Sequence, residues 1–131
     1  MTLWLDDEIK RLLIGLLDGA LTRRGFKRFY DYCYHIAYAY LLSKKESGKL
    51  YFQIQSKSSL DLQDLAIDCI AKLFEQDKDN AFPRFSNWFR KQFFDPATQA
   101  DSQLFLSLKA LVLSHVQQEL QVYFRNVDPE G

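Results

Sequence analysis

Apolar residues recur three and four positions apart along most of this chain, and that period constrains its fold more than any other feature. Ile9, Leu12, Leu13, Leu16 and Leu17 form the first such stripe. One face of an α-helix repeats every 3.6 residues, so the stripe predicts an amphipathic helix. Asp6, Asp7 and Glu8 stand at its start, where the helix dipole favours acids, and Gly19 is a natural stop. A second stripe of Phe26, Phe29, Tyr30, Cys33, Ala37, Tyr40 and Leu41 follows Thr22, a good N-cap. It predicts a long helix to about Ser43, with Tyr32, Tyr34 and Tyr38 on its other faces and a polar loop over Ser43 to Gly48.

The third stripe is the cleanest: Leu62, Leu65, Ala66, Cys69, Ile70, Leu73 and Phe74, with Ser59 or Asp61 able to cap it. Asp68 and Lys72 lie four apart, in the acid-to-base order that supports a helix by a few tenths of a kcal/mol. Gln76 to Asn80 reads as a charged loop. A fourth helix follows Phe82-Pro83, carries Phe85, Trp88, Phe89 and Phe93 on one side, and is stopped by Asp95-Pro96. A fifth starts near Asp101 or Ser102 and ends near Arg125, with Leu104, Leu108, Leu111, Val112, His115, Leu120 and Tyr123 inward. In Leu50 to Gln55, apolar and polar residues alternate as in a strand. One isolated strand cannot make a sheet, so this stretch reads as an extended or short helical connection.

With 131 residues, 47% of them hydrophobic, the chain suits one domain with a sizeable core. Five glycines and three prolines are too few for a turn-rich all-β fold. The reading is an all-α bundle of about five helices over residues 1–131. The ending Asn126-Val-Asp-Pro-Glu-Gly131 closes no helix and has no cap, so the chain is expected to be the N-terminal part of a longer protein.

The formal net charge is zero, which excludes a bulk electrostatic attraction to nucleic acid or an anionic membrane. The charge is segregated nonetheless. Residues 21–49 sum to +5 and residues 81–94 to +3, while residues 50–80 and 95–131 each sum to −3. Separate basic and acidic surfaces are therefore expected. The longest run without a charged residue, Tyr32 to Ser43, is too short for a membrane helix, and the acidic start cannot be a signal peptide. Cys33 and Cys69 form no CxxC and read as buried free thiols in a reducing compartment. The expected location is the cytoplasm.

Few residues point to catalysis. His115 and Glu119 have the spacing of two ligands on one helix face, but a metal site needs more, so no metal or cofactor is expected. Asp61, Asp64 and Asp68 could work as acid and base only if burial separated their pKa values; on an exposed face they are solvated charges or a docking surface. The chain has no nucleophile elbow, phosphate-cradling glycine loop or dinucleotide fingerprint. It is not expected to be an enzyme. Phe82 to Phe94 holds six aromatics and three bases. Such interleaving suits a helical core, and it also suits stacking the bases of a single strand while cations hold its phosphates.

The order of segments adds a resemblance. Asp61-Leu-Gln-Asp-Leu-Ala-Ile-Asp-Cys-Ile-Ala-Lys-Leu-Phe-Glu75 is similar to the most recognisable helix of bacterial RNA polymerase sigma factors, with Asp64-Leu65 and Leu73-Phe74 at the family's distinctive places. Phe26 to Leu42 resembles the helix before it, and Phe85-Ser-Asn-Trp88-Phe89 resembles the family's Phe-x-x-Trp-Leu segment. Leu108 to Arg125 takes the position of the promoter-reading helix. The resemblance implies a sigma-like core-binding domain. By position, Asp61, Asp64, Asp68 and Lys72 would face RNA polymerase core. Arg84, Trp88, Arg90 and Lys91, with Gln117 and Gln121 from the last helix, would face single-stranded or promoter DNA. The last helix has only Lys109 and Arg125 as bases, a weak positive field for reading a duplex. The alternative is a helical protein–protein interaction module that binds no nucleic acid.

Overall fold

The computed structural model describes residues 6–46 and 59–127. The connection expected over Leu50 to Gln55 and the chain end from Asp128 lie outside the described residues. Within them the protein is an all-α bundle of five helices, and no strand is present among the described residues. They are α1 (Asp6–Asp18), α2 (Arg23–Glu46), α3 (Ser59–Ala71), α4 (Pro83–Gln92) and α5 (Asp101–Val127), with two short 3-10 turns at Lys72–Phe74 and Pro96–Thr98.

The joint between α1 and α2 is built by two residues with special roles. Gly19 takes a positive φ of 71°; its amide donates to the Leu16 carbonyl, and the Ala20 amide donates to the Gly15 carbonyl. These two bonds close the helix end in a left-handed cap that glycine adopts without strain. Three residues later the Thr22 hydroxyl accepts from the Gly25 amide at 3.0 Å and caps α2.

Helix α2 packs on α1, α3 and α5, and α5 in turn packs on α1, α2 and α3. The three-sided burial of α2 explains why its apolar face is wider than its sequence stripe. Phe29, Cys33, Ala37 and Leu41 are buried as expected; Tyr32, expected on another face, is buried too and meets the Phe105 ring of α5 at 5.9 Å. The helix also continues to Glu46, through what reads as the start of a loop. Lysine and glutamate are good helix formers, and the Lys44 ammonium lies 5.2 Å from the Tyr40 ring one turn back.

All seven residues of the α3 stripe are buried, and together with α5 they fill one side of the core. At its C-terminal end the chain tightens into the 3-10 turn and places Phe74 at the centre of a ring cluster. Its ring centroid is 4.9 Å from Tyr30, 5.0 Å from Phe85, 5.5 Å from Phe26, 6.1 Å from Phe29 and 6.3 Å from Phe82. Each such pair adds about 0.5–1.5 kcal/mol beyond its buried area, so the aromatic wealth of the sequence goes first into holding α2, α3 and α4 together.

Helix α4 ends at Gln92, earlier than Asp95-Pro96 would require. Phe93 is extended and stacks on Phe89 at 6.3 Å, and Asp95 then caps the Pro96–Thr98 turn by accepting from the Ala97 amide. Phe94, beyond that break, is fully exposed. In α5 the expected inward residues from Leu104 to Leu120 are buried, joined by Val116; the Tyr123 side chain lies outside the described residues. No helix among the described residues is long and apolar enough to cross a membrane.

Candidate functional site

Because α3 buries one face completely, its other face is free for work. Gln63, Asp64, Ile67, Asp68 and Ala71 are exposed along it. Ile67 is 43% exposed, an aliphatic side chain one residue from Asp68 and one turn from Asp64. Neither carboxylate is in an ion pair among the described residues. Asp61 belongs to the first turn of the same helix, its side chain outside the described residues. Next to this face α2 presents Tyr34, whose ring stacks on Tyr38 at 6.0 Å. Burial, then the neighbouring Tyr38 and the Asp64 charge, push the Tyr34 phenol above its ordinary pKa.

Lys72 does not pair with Asp68 as the i, i+4 spacing predicts. It falls in the 3-10 turn, where the helical register is lost, and its ammonium reaches across to Glu119 of α5 at 3.4 Å. Asp64 and Asp68 therefore share the outer face of α3, while Lys72 belongs to the α3–α5 seam.

The residues expected to face DNA are divided. The Arg84 guanidinium donates through Nη1 to the Lys72 carbonyl and to Glu75 Oε1, both at 2.8 Å, and so fastens α4 to the 3-10 turn. The Trp88 indole N–H donates to Ser107 Oγ at 2.9 Å and to the Ser107 carbonyl at 3.2 Å; Ser107 Oγ in turn donates to Gln92 Oε1 at 2.6 Å. Phe85 and Phe89 are fully buried. The rings of Phe85, Trp88 and Phe89 thus serve the core and the α4–α5 joint. Arg90 and Lys91 are exposed in the last turn of α4, where the helix dipole favours cations. Gln117 lies elsewhere: its amide donates to the Tyr40 hydroxyl on α2 at 3.1 Å, and Gln121 is exposed one turn further along α5. The structure does not bring these two glutamines to Arg84, Trp88 and Lys91.

What it does bring there is a different set. Arg84, Asn87, Trp88 and Lys91 of α4 face Leu111, Ser114, His115 and Gln118 of α5 across an open groove of about 290 Å³, with Leu73 beneath. Spacing reasoning missed Asn87 and Ser114, and read Gln118 only as one of three glutamines, with Gln117 and Gln121, able to donate to DNA. The signal was present: residues 84, 87, 88 and 91 and residues 111, 114, 115 and 118 each mark one helix face.

His115 is 8% exposed. Its Nε2 is buried and has no hydrogen-bond partner among the described residues. Burial holds the imidazole below its ordinary pKa, against the opposite pull of Glu119. Glu119 itself is engaged by Lys72, and no group of three or more His, Cys, Asp or Glu residues among the described residues could hold a metal ion. Cys33 and Cys69 are buried free thiols, and burial pushes both up, Cys69 to about 12. A thiol that seldom ionises is a poor nucleophile.

No protein-family model, curated protein or solved structure matches this chain.

Proposed function

We propose that the chain is a sigma-factor-like core-binding domain that acts in the cytoplasm and docks on RNA polymerase core through the outer face of α3. One observation carries the reading: Asp64 and Asp68 are exposed on a helix whose inner face is sealed into the core, both outside any ion pair among the described residues, with Ile67 exposed between them. Unpaired charges around an exposed aliphatic residue suit a basic helical surface with an apolar strip, where charge sets encounter and register. The resemblance of the Asp61–Glu75 segment to the sigma-factor helix names the partner.

Immobilised RNA polymerase core and the purified domain test it. Asp64→Lys with Asp68→Lys is expected to weaken binding about tenfold or more, equivalent to about 1.4 kcal/mol, with the helical circular dichroism spectrum unchanged. Wild-type affinity in the double variant would end the docking claim.

A second reading is a helical interaction module without nucleic-acid binding. The engagement of Trp88 by Ser107 favours it, because that indole is already bonded within the molecule. Titration with single-stranded promoter DNA separates the two. DNA contact through Arg90 and Lys91 requires affinity that falls steeply with salt; no binding at low salt leaves the protein partner alone.

A further inference from the structure

The groove between α4 and α5 has a chemistry that the α3 docking face does not use. Two cations, Arg84 and Lys91, line its α4 wall, and no carboxylate among the described residues lines it. Asn87 and Gln118 add amides and Ser114 a hydroxyl, while Trp88, Leu73 and Leu111 supply apolar surface. His115 completes it with a buried Nε2 that has no hydrogen-bond partner among the described residues. A buried ring nitrogen left unmet is unfavourable, and a ligand hydroxyl or amino group would meet it.

We infer that this groove binds a small phosphorylated molecule carrying hydroxyl or amino groups, of the size of a sugar phosphate or a mononucleotide. The phosphate faces Lys91 and Arg84, and a hydroxyl or amino group on the body of the molecule meets His115 Nε2. Arg84 is held in place for this by Glu75 and the Lys72 carbonyl, while Lys91 is exposed and in no ion pair among the described residues. The volume of about 290 Å³ stands at the lower end of small-molecule sites, which suits one such unit and not a peptide. Nε2 is buried, so binding includes a small displacement of lining side chains. A bare anion would engage the cations and leave His115 unmet, which separates this site from a general phosphate patch.

Side-chain ¹⁵N NMR of the histidines in the full chain tests the proposal, with ribose 5-phosphate, adenosine monophosphate, inorganic phosphate and a short single-stranded DNA as probes. A saturable shift of His115 Nε2 with at least one of the two esters is expected, with inorganic phosphate binding about tenfold weaker or less. Lys91→Glu, an exposed change that spares the core, should weaken the ester about tenfold. Lys109→Glu, on α5 outside the groove, should not. The Asp64→Lys, Asp68→Lys variant should bind the ester normally, so failure here and failure of the docking reading are distinguishable. The inference is overturned if neither ester moves His115, if phosphate alone binds as well as the esters, if Lys91→Glu is without effect, or if only the DNA shifts the resonance.

Discussion

At the scale of a single residue, His115 links stability to pH. Burial in the α3–α5 seam lowers its pKa; Glu119 raises it, and Arg84 and Lys72 add to the lowering. Above the ordinary histidine value of about 6.5 the side chain is neutral both folded and unfolded, and contributes no pH dependence. As pH falls through 6.5, the unfolded chain takes up a proton that the folded chain resists. Stability therefore declines with falling pH, until the folded-state pKa is passed. His115→Leu removes this term. Urea unfolding from pH 7 to pH 5 should show a shallower loss of stability for the variant than for wild type. Equal slopes would mean that His115 is as easily protonated folded as unfolded. The same imidazole was legible in the sequence as an apolar-stripe member and as half of a ligand-spaced pair with Glu119; its buried, unpartnered Nε2 depends on what the packed bundle places around it.

At the scale of elements, the cap that ends α1 carries a prediction of its own. Gly19 sits at a φ of 71° with nothing within 4 Å of an added Cβ, so Gly19→Ala has no clash to relieve, only backbone strain. It should lower stability by about 1 kcal/mol in chemical denaturation, whereas no loss would mean that the left-handed cap is not held in solution. Gly19 as a stop and Thr22 as a cap could both be read from the sequence, because local hydrogen bonds decide them. The α3 stripe was legible for a related reason: that helix buries one continuous face, so period alone sorts inside from outside, and the exposed positions of Asp64 and Asp68 follow. Helix α2 is different. Packed by α1, α3 and α5, it buries Tyr32 outside its stripe, and no local pattern reveals three neighbours. The candidate sites divide likewise. Lys72 finds its partner 47 residues away, Arg84 its two partners 9 and 12 residues away and Trp88 its partner 19 residues away, and only the packed bundle selects them. Over a helix as long as α5 a one-residue step turns the face by about 100°, which is why Gln118 and not Gln117 lines the groove.

For the whole molecule, the question is whether α1 folds with the rest or beside it. Its apolar face has Ile9 and Leu13 at zero exposure in the same cluster that holds Phe29, Phe85 and Leu108. Its polar edge is tied down at separate places. The Lys10 ammonium donates to the Gln99 carbonyl at 2.9 Å and lies 3.8 Å from Asp101, at the entrance to α5, while Glu8 pairs with Arg28 of α2. Surface pairs of this kind contribute little energy, about 0–1 kcal/mol each, so the shared apolar cluster must do the coupling. A single core of this size unfolds as one unit. Leu13→Ala should then cost about 2–5 kcal/mol through the lost methylenes and the cavity left behind, and the loss should reach α4, whose Trp88 hangs from Ser107 of α5. In a Trp4→Phe background, the urea midpoints read by Trp88 fluorescence and by helical circular dichroism should fall together in the Leu13→Ala protein. A helicity transition that moves while the Trp88 transition stays in place would make α1 an appendage on a four-helix core.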